Sequence, residues 1–221
     1  MYALITGASS GIGKAIAFEL AKKKINLILV ARREKELNDV KSALVSQYDI
    51  DVVVKIVDVS NQEACVQLHQ SVQSYDIEMV INNAGFGKVN HFTNIELAQE
   101  LSMIDVNIVA VQILTKLFVQ TMKKGVIMNV ASMAGMLPTP LMATYAATKS
   151  YVLYFSRSVN YELKKQRSSV RVLTLNPGPV DTEFSQVAET KQGLKVMSAE
   201  RCAKIAVKGM IRRKAVIVPG F

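Results

Sequence analysis

Residues 2–13 read Tyr2-Ala3-Leu4-Ile5-Thr6-Gly7-Ala8-Ser9-Ser10-Gly11-Ile12-Gly13. A short apolar run stops at Gly7 and an amphipathic pattern begins near Ile12, so the stretch reads as strand, glycine turn, helix. Glycines at 7, 11 and 13 depart from the G-x-G-x-x-G spacing, but the physical demand is similar. Glycine permits a tight turn and lets backbone approach a pyrophosphate at a helix N-terminus, where N–H groups point outward. Ser9 and Ser10 add hydroxyl donors. A glycine cluster also occurs in ordinary turns; its place between a first strand and a first helix favours nucleotide binding, through Gly7, Ser9, Ser10, Gly11, Ile12 and Gly13.

The alternation continues outward from this turn. Apolar runs at 25–31, 52–57, 77–81, 126–130, 170–175 and 215–218 alternate with helical patterns at 34–47, 62–74, 95–124, a stretch from Tyr145 to Leu163, and 199–213. Strands alternating with helices pair in parallel through right-handed crossovers. The expected fold is α/β: a single Rossmann-type doubly wound domain over residues 1–221, with a seven-stranded parallel sheet and helices on both faces.

In such folds, cofactor selectivity is set about twenty residues after the turn, by a carboxylate for the ribose 2′-hydroxyl of NAD or an arginine for a 2′-phosphate. Strand two ends Leu29-Val30-Ala31-Arg32-Arg33, with no carboxylate and two guanidiniums. A forked guanidinium suits phosphate, so the expected cofactor is NADPH. The same arginines would also serve as solvated residues entering the next helix.

Tyr145-Ala146-Ala147-Thr148-Lys149 places a phenol and an ammonium one helical turn apart, on one face. A phenol titrates near 10 in water, and an adjacent ammonium favours the phenolate. That is a proton-transfer pair in outline, although a solvated surface pair has the same spacing.

With these motifs in order, the chain resembles the short-chain dehydrogenase/reductase family, classical type, over essentially its full length. The glycine turn matches; Asp58-Val59 after strand three matches the adenine contact; Asn82-Asn83-Ala84-Gly85 after strand four matches the strand-stabilising and cofactor-contacting motif. Asn107, Ser132, Tyr145 and Lys149 fall in the order of the catalytic tetrad, and Pro177-Gly178-Pro179-Val180-Asp181-Thr182 resembles the loop at the nicotinamide end. The resemblance implies that Tyr145 is the general acid in carbonyl reduction and that Ser132 holds the substrate oxygen. Lys149 would bind the nicotinamide ribose and depress the Tyr145 pKa, while Asn107 would hold a water that replenishes the proton. Cofactor contacts would come from Asp58, Val59, Asn83, Ala84, Gly85, Tyr145, Lys149, Pro177, Gly178, Val180 and Thr182. Taken alone, Ser132 also reads as a strand-end cap and Asn107 as a polar group inside a helix.

Half of the 221 residues are hydrophobic and a fifth are charged, the balance of a globular protein. The net charge of +9 raises nucleic acid as a partner. Against it, the cations gather where helices are expected to end: Lys22 to Lys24, Lys123 and Lys124, Lys164, Lys165 and Arg167, and Arg212 to Lys214. There they complement the helix dipole. Cys65, Cys202, His69 and His91 show no metal-ligand spacing, so the thiols are expected free and no metal is expected. No apolar run reaches the length of a bilayer span, and strand-like sequence from Tyr2 leaves no room for a signal peptide. The expected location is cytoplasmic.

The pocket walls are expected from Phe86 to Val89, Met133 to Met142, and Val180 to about Val196. They are mostly apolar, which favours a neutral carbonyl or alcohol substrate. A short polar lid is expected around 183–197. The chain ends at Pro219-Gly220-Phe221, where family members often continue, so either the site is open or the natural chain is longer. Helices over 107–122 and 145–163 carry more apolar residues than one sheet face needs, and in the family such helices pair between subunits; a homodimer or homotetramer is expected. Two alternatives to a general carbonyl reductase stand: a 3-oxoacyl-[acyl-carrier-protein] reductase whose basic surface docks an acidic partner, and a non-catalytic NADPH-binding sensor.

Overall fold

Strands covered on both faces need no polar alternation, and the apolar runs fold accordingly. The computed structural model describes residues 1–183 and 196–219. Its strands are β1 (Tyr2–Thr6), β2 (Asn26–Ala31), β3 (Val52–Ile56), β4 (Ile77–Asn82), β5 (Gly125–Val130), β6 (Val170–Leu175), β7 (Val180–Asp181), β8 (Met197–Ser198) and β9 (Val216–Ile217). Seven of them form one parallel sheet in the order β3-β2-β1-β4-β5-β6-β9. The short pair β7 and β8 makes a separate ribbon that the sequence pattern did not announce. Of the lid expected around 183–197, residues 184–195 lie outside the described residues.

The helices are α1 (Gly11–Ala21), α2 (Glu34–Gln47), α3 (Gln62–Gln70), α4 (Leu97–Ile104), α5 (Ala110–Thr121), α6 (Ala143–Lys165) and α7 (Ala199–Ile211). Alternate strand residues divide between the faces. Ala3, Ile5, Leu27 and Leu29 pack with Ile16, Leu20, Leu37, Leu44 and Met210 from α1, α2 and α7. Leu4, Ile28 and Val30 turn the other way, toward Leu68, Leu114, Phe118 and Leu163 from α3, α5 and α6. Strand order reverses at β1, between β2 and β4, and a crevice for ligands opens outside the carboxyl ends of strands at such a switch point.

Several boundaries differ from expectation by a few residues. α3 stops at Gln70 rather than near 74, because the Ser71 hydroxyl donates to Leu68 O at 2.9 Å and diverts the backbone acceptor. The helix expected over 95–124 is preceded by a 3-10 turn at Phe92–Asn94, ends at Thr121, and contains a π-helical turn at Asp105–Val109. Basic residues do follow the helix ends, and Lys24, Arg167 and Arg213 adopt left-handed φ of 57°, 55° and 52° there, the conformation that closes a helix.

The continuous helical stretch Leu97–Thr121 is long and apolar enough to cross a bilayer by length and composition, which corrects the expectation that no run reaches that length. In this structure 44% of its most apolar window is buried, with Val106, Ala110, Leu114 and Phe118 against the sheet.

Polar groups are also buried where α5 and α6 meet the sheet. Asn82 and Asn129 face each other in register on β4 and β5. Asn82 Nδ2 donates to Asn129 Oδ1 at 2.8 Å and to Thr115 Oγ1 at 3.2 Å, and Asn129 Nδ2 donates to Ser156 Oγ at 2.8 Å. Lys149, Val152, Leu153, Ser156 and Asn160 are all buried along one face of α6. The network thereby fixes the rotation of the helix that carries Tyr145.

Candidate active site

The glycine turn begins at Thr6, whose side chain joins β1 to the end of β4. Thr6 Oγ1 accepts from both Asn83 N and Ala84 N at 3.0 Å, and Asn83 Nδ2 donates to Thr6 O at 3.0 Å and Gly7 O at 3.1 Å. Gly7 and Gly11 have φ of 65° and 53°. A Cβ on Gly13 would stand 2.4 Å from Asn83 Nδ2 and 2.4 Å from Gly7 O. Gly13 therefore allows close packing of α1 against the turn, beside the residues expected to contact the cofactor. Gly13→Ala is expected to lower unfolding free energy by about 2–3 kcal/mol, measured by denaturant titration, since backbone and a tethered amide must both move.

Ser10 caps α1 without a side-chain hydrogen bond to its backbone. Its hydroxyl and that of Ser9 instead accept from Arg33 Nη2, at 2.9 and 3.2 Å. The same nitrogen reaches Glu183 Oε2 at 2.9 Å. Arg32 turns toward Asp58, 3.6 Å away. Burial opposes ionisation of Asp58, but the Ser60 N–H and hydroxyl, with Arg32, outweigh it and hold the carboxyl below its ordinary range.

At the other end, Ser132 follows β5 and caps a 3-10 turn at Met133–Gly135, accepting from Ala134 N at 3.1 Å. The Ser132 and Tyr145 hydroxyls are also hydrogen-bonded, so Ser132 is both a backbone cap and a partner of the phenol. Gly135 makes this approach possible: a Cβ there would lie 2.5 Å from the Lys149 carbonyl carbon. Ser150 Oγ donates to Gly135 O at 2.7 Å and holds the turn on α6. Gly135 and Ser150 were not identified from sequence, although a glycine three residues after Ser132 was a readable signal. Met133 N donates to Pro177 O at 3.0 Å, which ties the loop containing Gly178 to the same place.

Lys149 is 5% exposed; its Nζ donates to Val130 O at 2.8 Å and lies 5.7 Å from the Tyr145 ring centroid. Burial pushes the Tyr145 phenol up to about 12, against the lowering effect of the Ser132 hydrogen bond. Desolvation outweighs that hydrogen bond, so the phenol lies above its ordinary range, where the expectation was a depressed one. Burial lowers Lys149 to about 8. Unfolded, this lysine keeps its proton up to about 10.4, so wild-type stability should rise between about pH 8 and 10.5 and be flat below that window. Lys149→Met is expected to stabilise the fold by about 2–3 kcal/mol at pH 7, with the gain shrinking across the same window in chemical-denaturation curves.

Asn107 sits in the π turn and is fully buried. Its Nδ2 donates to Phe86 O at 2.9 Å and Thr148 Oγ1 at 3.0 Å, and its Oδ1 accepts from Phe86 N at 3.1 Å. A Cβ on Gly85 would meet Asn107 Oδ1 at 2.9 Å and Lys149 Nζ at 3.2 Å, so Gly85 keeps open the space where these two groups meet.

One cavity of about 980 Å³ joins both ends, from Arg32 and Asp58 past the glycine turn to Tyr145 and Pro177. It is lined by every expected site residue except Gly13 and Asn107, which lie behind its wall. Met133, Leu137, Pro138, Met142 and Val196 provide apolar walls beyond Tyr145, as expected; Gly87 and Lys88 border a separate small depression instead. The donor set fits a dinucleotide. A glycine cradle that Cβ atoms would fill faces a guanidinium and two hydroxyls at one end, and a phenol, a hydroxyl and a buried ammonium at the other.

A doubly wound sheet with a glycine turn at its switch point and a Ser-Tyr-Lys cluster in the same crevice defines a dinucleotide-binding scaffold equipped for proton transfer. The chain belongs to the short chain dehydrogenase family, whose model matches residues 1–193. The very-long-chain 3-oxoacyl-CoA reductase-B of Danio rerio is 32% identical over 210 residues, 92% of this chain and 66% of that relative, so this chain spans about two thirds of its length. The NADP-dependent 3-hydroxy acid dehydrogenase of Schizosaccharomyces pombe is 31% identical over 231 residues, 97% of this chain and 88% of the relative. Among solved structures, a short-chain dehydrogenase from Sphingobium yanoikuyae in complex with NADPH superimposes with a TM-score of 0.92 at 29% identity, covering 100% of this chain and 88% of that one.

Proposed function

We propose that this chain is an NADPH-dependent oxidoreductase that interconverts a carbonyl compound and its alcohol, with Tyr145 as general acid and base. The observation that carries the reading is the Ser132–Tyr145 hydrogen bond, beside buried Lys149, in a cavity that continues to Arg32 and Arg33. NADPH, when bound, supplies the hydride. Tyr145 donates its proton to the carbonyl oxygen as negative charge builds there, and Ser132 orients that oxygen and stabilises the charge. Lys149, beside the phenol, favours the proton's departure, and Asn107 and Gly85 shape the space through which Tyr145 is reprotonated.

The substrate we favour is a 3-oxoacyl compound with an apolar chain. The names of the Danio rerio and Schizosaccharomyces pombe relatives share chemistry at the third carbon of an acyl chain, and the walls beyond Tyr145 are apolar. An acyl-carrier-protein conjugate remains one form of that class, with the basic surface as its dock. We also propose a cytoplasmic homodimer or homotetramer. Leu97, Leu101, Tyr154 and Tyr161 are 68%, 51%, 59% and 62% exposed on α4 and α6, an apolar surface suited to a second copy.

The test is NADPH consumption by the purified chain against aldehydes, diketones, ketosteroids, quinones and 3-oxoacyl thioesters. Turnover concentrated on the thioesters supports the reading. Turnover on another class overturns the substrate, and tight NADPH binding without consumption by any compound supports the sensor alternative.

A further inference from the structure

The carboxylate of Glu183 lies in a phosphate-like environment. It accepts from Arg33 Nη2 at 2.9 Å, shares a hydrogen bond with Ser10, and feels the charge of Lys14 on the first turns of α1. Immediately before it, Thr182 packs onto the turn: a Cβ on Gly11 would lie 3.3 Å from Thr182 Cβ and Cγ2. Residues 182 and 183 thus lie across the start of an eleven-residue helix, over the side chains that would receive the cofactor's phosphates. A guanidinium, a hydroxyl and an ammonium at a helix start would hold a phosphate well. Here a carboxylate from the chain itself takes the first of them.

Arg33 Nη2 is already shared among Ser9, Ser10 and Glu183. A second anion on the same guanidinium would face Glu183 at close range, and like charges repel. Resting on the NADPH reading above, we propose that Glu183 competes with the cofactor's 2′-phosphate for Arg33 and thereby moderates the preference for phosphorylated over unphosphorylated cofactor. A nucleotide lacking the 2′-phosphate leaves the Arg33–Glu183 pair intact and gains nothing from its removal. A nucleotide carrying it must displace Glu183.

The experiment is calorimetric titration of the wild-type chain, Glu183→Gln, Arg33→Ala and the double variant with adenosine 2′,5′-bisphosphate and with ADP, with melting temperature as a check on folding. The Glu183 side chain is 53% exposed, so its pair with Arg33 is worth what an exposed ion pair is worth. Glu183→Gln should bind the 2′-phosphorylated probe about two- to fivefold tighter, leave ADP unchanged, and lose that advantage in the Arg33→Ala background. Unchanged or weaker binding of the bisphosphate, with wild type binding it well, overturns the role of Glu183 and leaves the NADPH reading standing. Equal tightening of both probes would mean general charge relief and also overturns the proposal. Failure of the wild-type chain to prefer the bisphosphate over ADP overturns the NADPH reading, and the proposal with it.

Discussion

Tyr145→Phe should lower kcat for carbonyl reduction by about 10³-fold or more, with NADPH affinity within about twofold of wild type. The ring is 7% exposed and packed at the floor of the cavity, so phenylalanine keeps the shape and removes only the hydroxyl. Two things are lost with it. One is the proton donor, a phenol that burial holds at about 12 and therefore fully protonated at neutral pH. The other is the partner of Ser132, which keeps its cap on Ala134 N but loses the hydrogen bond that aims it into the cavity. Because the charge on the substrate oxygen exists only during reaction, the loss should fall on kcat rather than KM. Steady-state kinetics beside fluorescence titration of NADPH would separate the two. Turnover within tenfold of wild type would mean that another group delivers the proton.

Arg33→Ala should weaken NADPH by about ten- to a hundredfold and NADH by less than about threefold. The guanidinium is held by the hydroxyls of Ser9 and Ser10, which direct it over the glycine turn before any phosphate arrives. Preorganisation of this kind is why a charge-assisted hydrogen bond contributes more than an exposed ion pair. Arg32 should matter less. Its side chain is 71% exposed and lies 3.6 Å from Asp58, so Arg32→Ala is expected to cost NADPH only a few-fold. Binding isotherms for both cofactors with both variants decide the matter. Equal losses for NADPH and NADH in Arg33→Ala would remove the phosphate from the argument.

The frame of the molecule was legible because its determinants are local. A glycine turn between an apolar run and an amphipathic run has few other readings, and strands buried on both faces announce themselves as unbroken apolar segments. Arg33 and the Tyr145–Lys149 pair were readable for the same reason, since residue type and spacing carry the chemistry. What escaped is made by contacts between distant segments. Nothing near Glu183 in the chain indicates Arg33, 150 residues earlier. The π turn at Asn107 has no composition of its own, and Gly135 matters only because Lys149 backbone passes 2.5 Å from where its Cβ would be. The raised Tyr145 phenol was not legible because burial, its largest cause, is a property of the whole fold.

The Thr6–Asn83 junction has a consequence for how the protein comes into being. Thr6 Oγ1 and O bind a residue 77 positions later, and until that junction forms the glycine turn has no floor. β1 and β2 can pair early through a short crossover, but closing β1 onto β4 requires a much longer loop and is entropically later. A chain emerging from the ribosome should therefore acquire its first three strands as a unit that binds no nucleotide, and gain binding abruptly once β4 docks. Nucleotide affinity, followed on nascent chains of increasing length, would then report the docking of one strand.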